Sequence, residues 1–346
     1  ELCRQILDRK PKTLLLFDLS ELALYNLNNE LQEILNQFST AKNFGFSDKK
    51  NQSRDFENNS DDIKSVPRIV PLLGSVTDKN RVKDVISTWC PSIIYHAAAI
   101  KHVPIVEQNI AECVKTNING AMNVIDAAID CKVSKVVALS TDKASSPINL
   151  YGATKLASDK LFIAANAYSG TKTTNFSVVR YGNVMGSRGS IIPFFLSLKG
   201  KGKIPITDSK MTRFMITLEQ GIDLVWKAIK DAKGGEIYVK KIPSMKVLDI
   251  AKAICPDQEY KIIGIRPGEK LHEQMIGVED APFTFEYKDH YKILPSIYDA
   301  YKDKTRIGSG KELINNFSYT SNNNENWMTI QQLKNWVKLE SDKIER

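Results

Sequence analysis

The hydrophobic pattern of this chain switches repeatedly between two periods. Lys12–Asp18 (K-T-L-L-L-F-D) is a continuous apolar run ending in an acid, as expected of a strand buried on both faces of a parallel sheet. Ser20 stands as an N-cap before a helical pattern that runs to about Phe38. The residues ahead, Glu1–Leu7, read as a helix already under way. Arg68–Leu73 predicts a strand, Asp78–Thr88 a helix, Ser92–His96 a strand and Pro104–Ile129 a mostly helical stretch. Lys135–Ser140 predicts a strand, Tyr151–Tyr168 a helix and Asn175–Arg180 a strand. Strands alternating with crossover helices predict an α/β fold, a doubly wound parallel sheet with right-handed connections. Ligands of such sheets bind at the carboxyl ends of the strands.

The alternation loosens after about Gly182. Short strands (Lys203–Thr207, Glu236–Val239, Tyr260–Ile265) mix with helices (Thr217–Ala232, Val247–Ile254), and a last helix is expected around Thr329–Leu339. This predicts a smaller C-terminal substrate lobe on the same sheet, with domains at 1–182 and 183–346. Ser39–Ser65 is polar and aperiodic, and reads as a mobile surface insertion.

Composition narrows the classes. The 346 residues are 42% hydrophobic and 25% charged, which is ordinary globular usage. No apolar run approaches the length of a membrane span. The net charge is +8, but the basic residues are dispersed, so no nucleic-acid stripe is expected. A positive balance suits an anionic small substrate such as a nucleotide sugar. Five cysteines without C-x-x-C spacing argue against a disulfide framework or structural zinc and for a reducing cytosol. Four scattered histidines predict no metal site.

The strongest local signal is Ser140-Thr141-Asp142-Lys143 at a strand end, followed by Tyr151-Gly152-Ala153-Thr154-Lys155. Tyr151 and Lys155 fall at i and i+4 on one helix face. A lysine beside a phenol favours the phenolate and lowers its pKa. Thr141 or Ser140 can orient a substrate alcohol. The arrangement suits removal of a hydroxyl proton while hydride leaves the same carbon. A Y-x-x-x-K spacing by itself is most often a solvated helix face. Its place after a strand ending S-T-D-K carries the functional reading.

On these residues the chain resembles the extended short-chain dehydrogenase/reductase superfamily, and within it the nucleotide-sugar 4,6-dehydratases. It is most similar to the inverting UDP-N-acetylglucosamine type of pseudaminic acid and polysaccharide biosynthesis, which serves flagellin glycosylation. The matching stretches are His96–Pro104, Leu139–Ala144, Asn149–Leu156, Arg180–Ser190, Pro205–Phe214 and Ile263–Glu273, in family order from about Arg68 to Trp327. The resemblance implies an NAD(P)-binding Rossmann fold, tightly bound and recycled NADP or NAD, a UDP-sugar substrate and a homo-oligomer, dimer or hexamer.

It also implies roles. Thr141, Tyr151 and Lys155 serve C4 oxidation, with Lys143 as the base at C5 and Asp142 as the acid for the C6 hydroxyl. Ala97, Ala98, Ala99, Lys101 and Val184, with Tyr151 and Lys155, line the cofactor; Lys101 reaches either cofactor or sugar. Asn183, Arg188, Thr207, Arg266 and Glu269 bind the sugar nucleotide, the arginine fork suiting a diphosphate. Asp18 ends its strand where an acid accepts from a ribose 2′-hydroxyl and favours NAD, whereas Ser20 could meet the 2′-phosphate of NADP. His96 is expected to be a packed strand-end residue rather than a base.

The departures are as specific. No G-x-x-G-x-x-G lies between a first strand and a first helix, where a dinucleotide pyrophosphate is normally cradled. The expectation is a chain truncated just after that loop, lacking one central strand and binding cofactor weakly. Ser75 stands where relatives carry an Asp. Phe17–Tyr25 resembles the long membrane-anchored polysaccharide dehydratases, many of which have Met in place of Tyr151. The alternatives are a retaining 4,6-dehydratase of capsule or O-antigen synthesis, a 4-epimerase, and an inactive sugar-nucleotide-binding subunit. The T-D-K triplet speaks against a plain epimerase, which eliminates no water.

Overall fold

A computed structural model describes residues 1–43, 66–169, 174–187 and 189–344. Arg188 and most of the Ser39–Ser65 insertion lie outside the described residues; its first residues, 39–43, continue a helix. The chain divides into two compact units, Glu1–Arg81 and Val82–Arg346.

In the first unit the helix Leu2–Asp8 precedes a strand Thr13–Asp18, a helix Glu21–Asn43 and a strand Arg68–Leu73. The two strands pair in parallel, Thr13 with Arg68 through Asp18 with Leu73. Leu24, Leu31 and Leu35 recur at helical spacing and are buried with Leu7, Leu14, Leu16 and Ile69. Ser20 caps the long helix as expected, its Oγ accepting from Ala23 N at 3.2 Å.

The second unit is built on a seven-stranded sheet. Ile93–His96, Lys135–Thr141, Asn175–Tyr181 and Ile237–Lys240 run parallel, each paired with the next. Their middle members are almost wholly buried, which explains their continuous apolar sequences. Beyond this parallel part, His290–Ile293, Thr284–Glu286 and Lys311–Glu312 continue the sheet antiparallel at its far edge. The expected lobe is corrected. Only Ile237–Lys240 of its three expected strands joins this sheet, while Ile204–Ile206 and Tyr260–Ile262 pair with each other. Their core gathers Ile192, Phe195, Ile204, Ile206, Met245, Val247, Ile250 and Leu333.

The stretch Pro104–Ile129 is not one helix. It breaks into Val103–Val106, Ile110–Val114, a π-helical turn Lys115–Asn119 and Gly120–Asp130. Asn117 accounts for the break. Its side chain accepts from Ile100 N (2.9 Å) and donates to Ile100 O (3.1 Å) and Thr154 Oγ1 (3.0 Å). It thus fastens the loop after Ile93–His96 to the Tyr151 helix. Among the described residues no helix is long and apolar enough to cross a membrane.

Candidate active site

The strand Lys135–Thr141 ends on a tight turn, Asp142–Ala144, and the helix Leu150–Tyr168 starts six residues later. Asn149 caps that helix, accepting from Gly152 N at 2.7 Å, and donates to Gly268 O at 2.8 Å. Lys270 donates to Ser145 O at 2.7 Å. The 266–270 loop is therefore tied to the catalytic segment at two points. Gly152 lets the helix start against the turn: a Cβ there would clash with the Lys143 carbonyl oxygen and lie 2.9 Å from Pro147 Cβ. Gly152→Ala is expected to push helix and turn apart and cut turnover about 10²-fold, since small misplacements of reacting groups carry that cost. Steady-state kinetics beside an unchanged far-ultraviolet dichroism spectrum would check it.

Tyr151 and Lys155 are both buried on this helix. Here the expected electrostatics need correction. Burial pushes the Tyr151 phenol up to about 12, opposed by Lys143 and by a hydrogen bond with Thr141. The Lys155 ammonium donates to Leu139 O at 2.8 Å. Ser140 Oγ donates to Asp159 Oδ2 at 2.7 Å and is buried, whereas Thr141 is only partly buried and bonds Tyr151, so Thr141 is the better placed to face a substrate alcohol. Asp159 also receives Arg180 at 3.2 Å, and Arg180 donates to Met275 O at 2.9 Å. These charges lie almost wholly out of water and hold together only as a set.

Asp142 is 1% exposed. Its Oδ1 accepts from Thr141 Oγ1 at 2.9 Å and from Lys143 Nζ at 3.1 Å, and its Oδ2 has no partner. The sequence reading missed Glu273, whose Oε1 sits 3.4 Å from Lys143 Nζ and 3.7 Å from Arg213 Nε. Burial and the Glu273 charge push the Asp142 carboxyl up, against the pull of Lys143. Burial opposes the Lys143 charge, but Asp142 and Glu273 outweigh it and hold the ammonium well above its ordinary range. In this unliganded arrangement the ammonium form of Lys143 is favoured, so a proton must leave it before it can act as the base expected at C5. Glu273 closes the Ile263–Glu273 stretch, so its proximity to motif residues was the available signal.

The remaining candidates are placed as follows. Ala97, Ala98 and Ala99 form the loop directly after Ile93–His96, and exposed Lys101 follows. His96 is 4% exposed, and burial pushes its imidazole down to about 3, so it is neutral and packs on Phe162. Asn183 and Val184 form a short strand beside Thr212–Ile216. Thr207 follows Ile204–Ile206. Arg266 is exposed, its N–H donating to Glu269 Oε2 at 3.3 Å. Asp18 and Ser20 belong to the first unit, where Asp18 Oδ1 accepts from Ser20 N at 2.8 Å. Asn183 Oδ1 is buried without a partner. That orphaned acceptor suits a polar group of a bound sugar nucleotide, while Tyr151, Lys155 and the small Ala97–Ala99 loop at strand ends fit the nicotinamide half of a dinucleotide. Among the described residues no group of His, Cys, Asp and Glu could hold a metal.

A family model for polysaccharide biosynthesis proteins matches residues 38–295. The chain belongs to this family. It is 51% identical over 269 residues to a Campylobacter jejuni protein named UDP-N-acetylglucosamine 4,6-dehydratase (inverting), covering 76% of this chain and 80% of the relative. Among solved structures, Pen from Bacillus thuringiensis matches with a TM-score of 0.80 at 31% identity, over 98% of this chain and 93% of that one. DesIV of Streptomyces venezuelae, a dTDP-glucose 4,6-dehydratase solved with NAD, matches at TM-score 0.52 and 22% identity, over 61% and 71%. That last likeness is one of fold, the Rossmann-like α/β fold of NAD-binding dehydratases.

Proposed function

We propose that this chain is a nucleotide-sugar 4,6-dehydratase that acts on UDP-N-acetylglucosamine with inversion at C5, using NAD or NADP. The observation that carries the reading is the contact of buried Asp142 with Lys143, 3.1 Å long, at the strand end that also presents Thr141 to Tyr151. Removal of water across C5 and C6 needs a base and an acid on adjacent carbons, and an epimerase needs neither. One proton moved across that contact turns an ammonium carboxylate into an amine and a carboxylic acid, the base and the acid required. The name of the Campylobacter relative supports the substrate and the stereochemistry.

Tyr151 receives the C4 hydroxyl proton, and Thr141 orients that hydroxyl. A bound nicotinamide supplies the hydride acceptor at C4 and the hydride donor at C6. The C4 ketone acidifies the C5 hydrogen, and the Asp142–Lys143 pair carries the two proton transfers of elimination. Residues 183–346 are read as the substrate half, with Asn183, Arg188, Thr207, Arg266 and Glu269 on the nucleotide sugar. Residues 1–182 are read as the cofactor half, with Asp18, Ser20, Ala97–Ala99, Lys101, Tyr151 and Lys155 on the dinucleotide, joined there by Val184 from the other half. Ile105, Ile110 and Ile148, all more than half exposed, support a homo-oligomer, and the free cysteines fit a reducing cytosol.

Purified full-length enzyme incubated with UDP-N-acetylglucosamine is expected to yield a UDP-sugar lighter by one water. Proton NMR should show a new C6 methyl group. A product of unchanged mass would overturn the dehydratase reading.

A further inference from the structure

Lys143 has a carboxylate on each side; the Lys270 charge is felt by both, and Glu273 forms a further ion pair with Arg213. Glu273 Oε1 has Arg213 Nε at 3.7 Å in addition to Lys143 at 3.4 Å. Asp142 has Lys143 and the Thr141 hydroxyl. The Glu273 backbone is fixed: its N–H donates to Ser321 Oγ at 2.9 Å, and its carbonyl accepts from Ser321 N at 2.8 Å. Both carboxylates are buried, and each keeps one oxygen without a partner. Two carboxylates sharing one ammonium in low dielectric do not both ionise at equal cost, and the proton goes to the less supported one.

We propose that Glu273 is a positioning residue for the elimination, its Arg213-anchored carboxylate directing the mobile proton of the Asp142–Lys143 pair onto Asp142. The proposal rests on the dehydratase reading and names a group which that reading leaves idle. The charged and titratable groups around Glu273 agree. Lys143 and Asp142 face it from the turn, Arg213 from Thr212–Ile216 and Lys270 from its own segment. Tyr151 adjoins the Asp142–Lys143 pair from the helix, and His272 bonds Thr212 Oγ1 at 2.8 Å. Glu273 is held below its ordinary range, burial being outweighed by Lys143, Arg213 and Lys270, whereas Asp142 is pushed up.

With the proton on Asp142, the Lys143 amine takes the C5 hydrogen as a proton. The freed electron pair forms the C5–C6 double bond and the C6–O bond breaks. The departing hydroxyl takes the Asp142 proton and leaves as water. The pair ends as ammonium and carboxylate, which the 3.1 Å contact holds together.

The test compares Glu273→Gln and Glu273→Asp with wild-type full-length enzyme on UDP-N-acetylglucosamine in single turnover. Absorbance of bound nicotinamide follows C4 oxidation, and mass spectrometry follows water loss. In Glu273→Gln, oxidation should persist while water loss slows roughly 10²-fold, the lower range for a displaced general acid. Asp142 without its charged neighbour gives up its proton more readily, so the high-pH limb of water loss should move to lower pH. Glu273→Asp should recover part of the rate. Unchanged water loss in Glu273→Gln would overturn the proposal, as would equal loss of both steps in both variants. A wild-type enzyme that releases no dehydrated product would instead overturn the dehydratase reading, and this proposal with it.

Discussion

Tyr151→Phe is expected to lower turnover by roughly 10² to 10⁴, the usual worth of a positioned general base, and to leave nucleotide-sugar binding intact. The phenol is 8% exposed, and its ring is part of a small cluster with Val106 and Cys113. Phenylalanine keeps that packing and removes only the oxygen. The hydroxyl bonds Thr141, and burial pushes its pKa up to about 12. At neutral pH the unliganded phenol therefore keeps its proton, and a base must lose it before it can accept another. Wild-type oxidation should then rise with pH toward that apparent value, and faster where a bound cation lowers it. In Tyr151→Phe the rising limb should vanish. Stopped-flow absorbance at the nicotinamide band, across pH, checks the limb, and calorimetry with UDP-N-acetylglucosamine checks binding. Near-normal turnover in the variant would remove Tyr151 from the reaction.

How much of this was legible in the sequence depends on the distance over which each feature is encoded. Strand Arg68–Leu73 and helix Val247–Ile254 have the bounds their periodicity predicts, because each is a local pattern facing one core. Tyr151 and Lys155 share a helix face because i and i+4 must. The antiparallel strands His290–Ile293 and Thr284–Glu286 were missed; what joins them to the sheet is pairing with Ile237–Lys240 and with each other, which no local pattern reveals. The break at Lys115–Asn119 was missed because Asn117 answers to Ile100 and Thr154, partners that no local pattern reveals. The electrostatics of Lys143 were hidden for the same reason at longer range. Sequence neighbours suggested a base beside an acid. Glu273, well over a hundred residues away, adds a second carboxylate that favours the ammonium form. Ser140 and Thr141 were equal candidates until Asp159 claimed one of them.

Asp142→Asn and Lys143→Ala are expected to stop dehydration while sparing oxidation at C4. Asparagine keeps the shape of Asp142 and its bond from Thr141 but has no acidic proton to give the C6 hydroxyl. Alanine at 143 removes the amine that lies 3.1 Å from Asp142 Oδ1; that side chain is a quarter exposed, so its loss opens little core. Neither residue is the group that receives the C4 proton. Each variant should therefore hold a 4-keto sugar with its C6 hydroxyl in place, together with reduced nicotinamide that cannot be reoxidised at C6. The wild-type enzyme should accumulate no reduced nicotinamide. Run in deuterated water, its product should carry deuterium at C5, because the proton removed there mixes with solvent before one returns. Mass spectrometry of the sugar and absorbance of the bound nicotinamide separate the outcomes. If both variants still release a sugar lighter by one water at the wild-type rate, Asp142 and Lys143 are a structural ion pair. If the wild-type product differs from substrate only at C4, the enzyme is an epimerase. The buried pair would then have no proton to move.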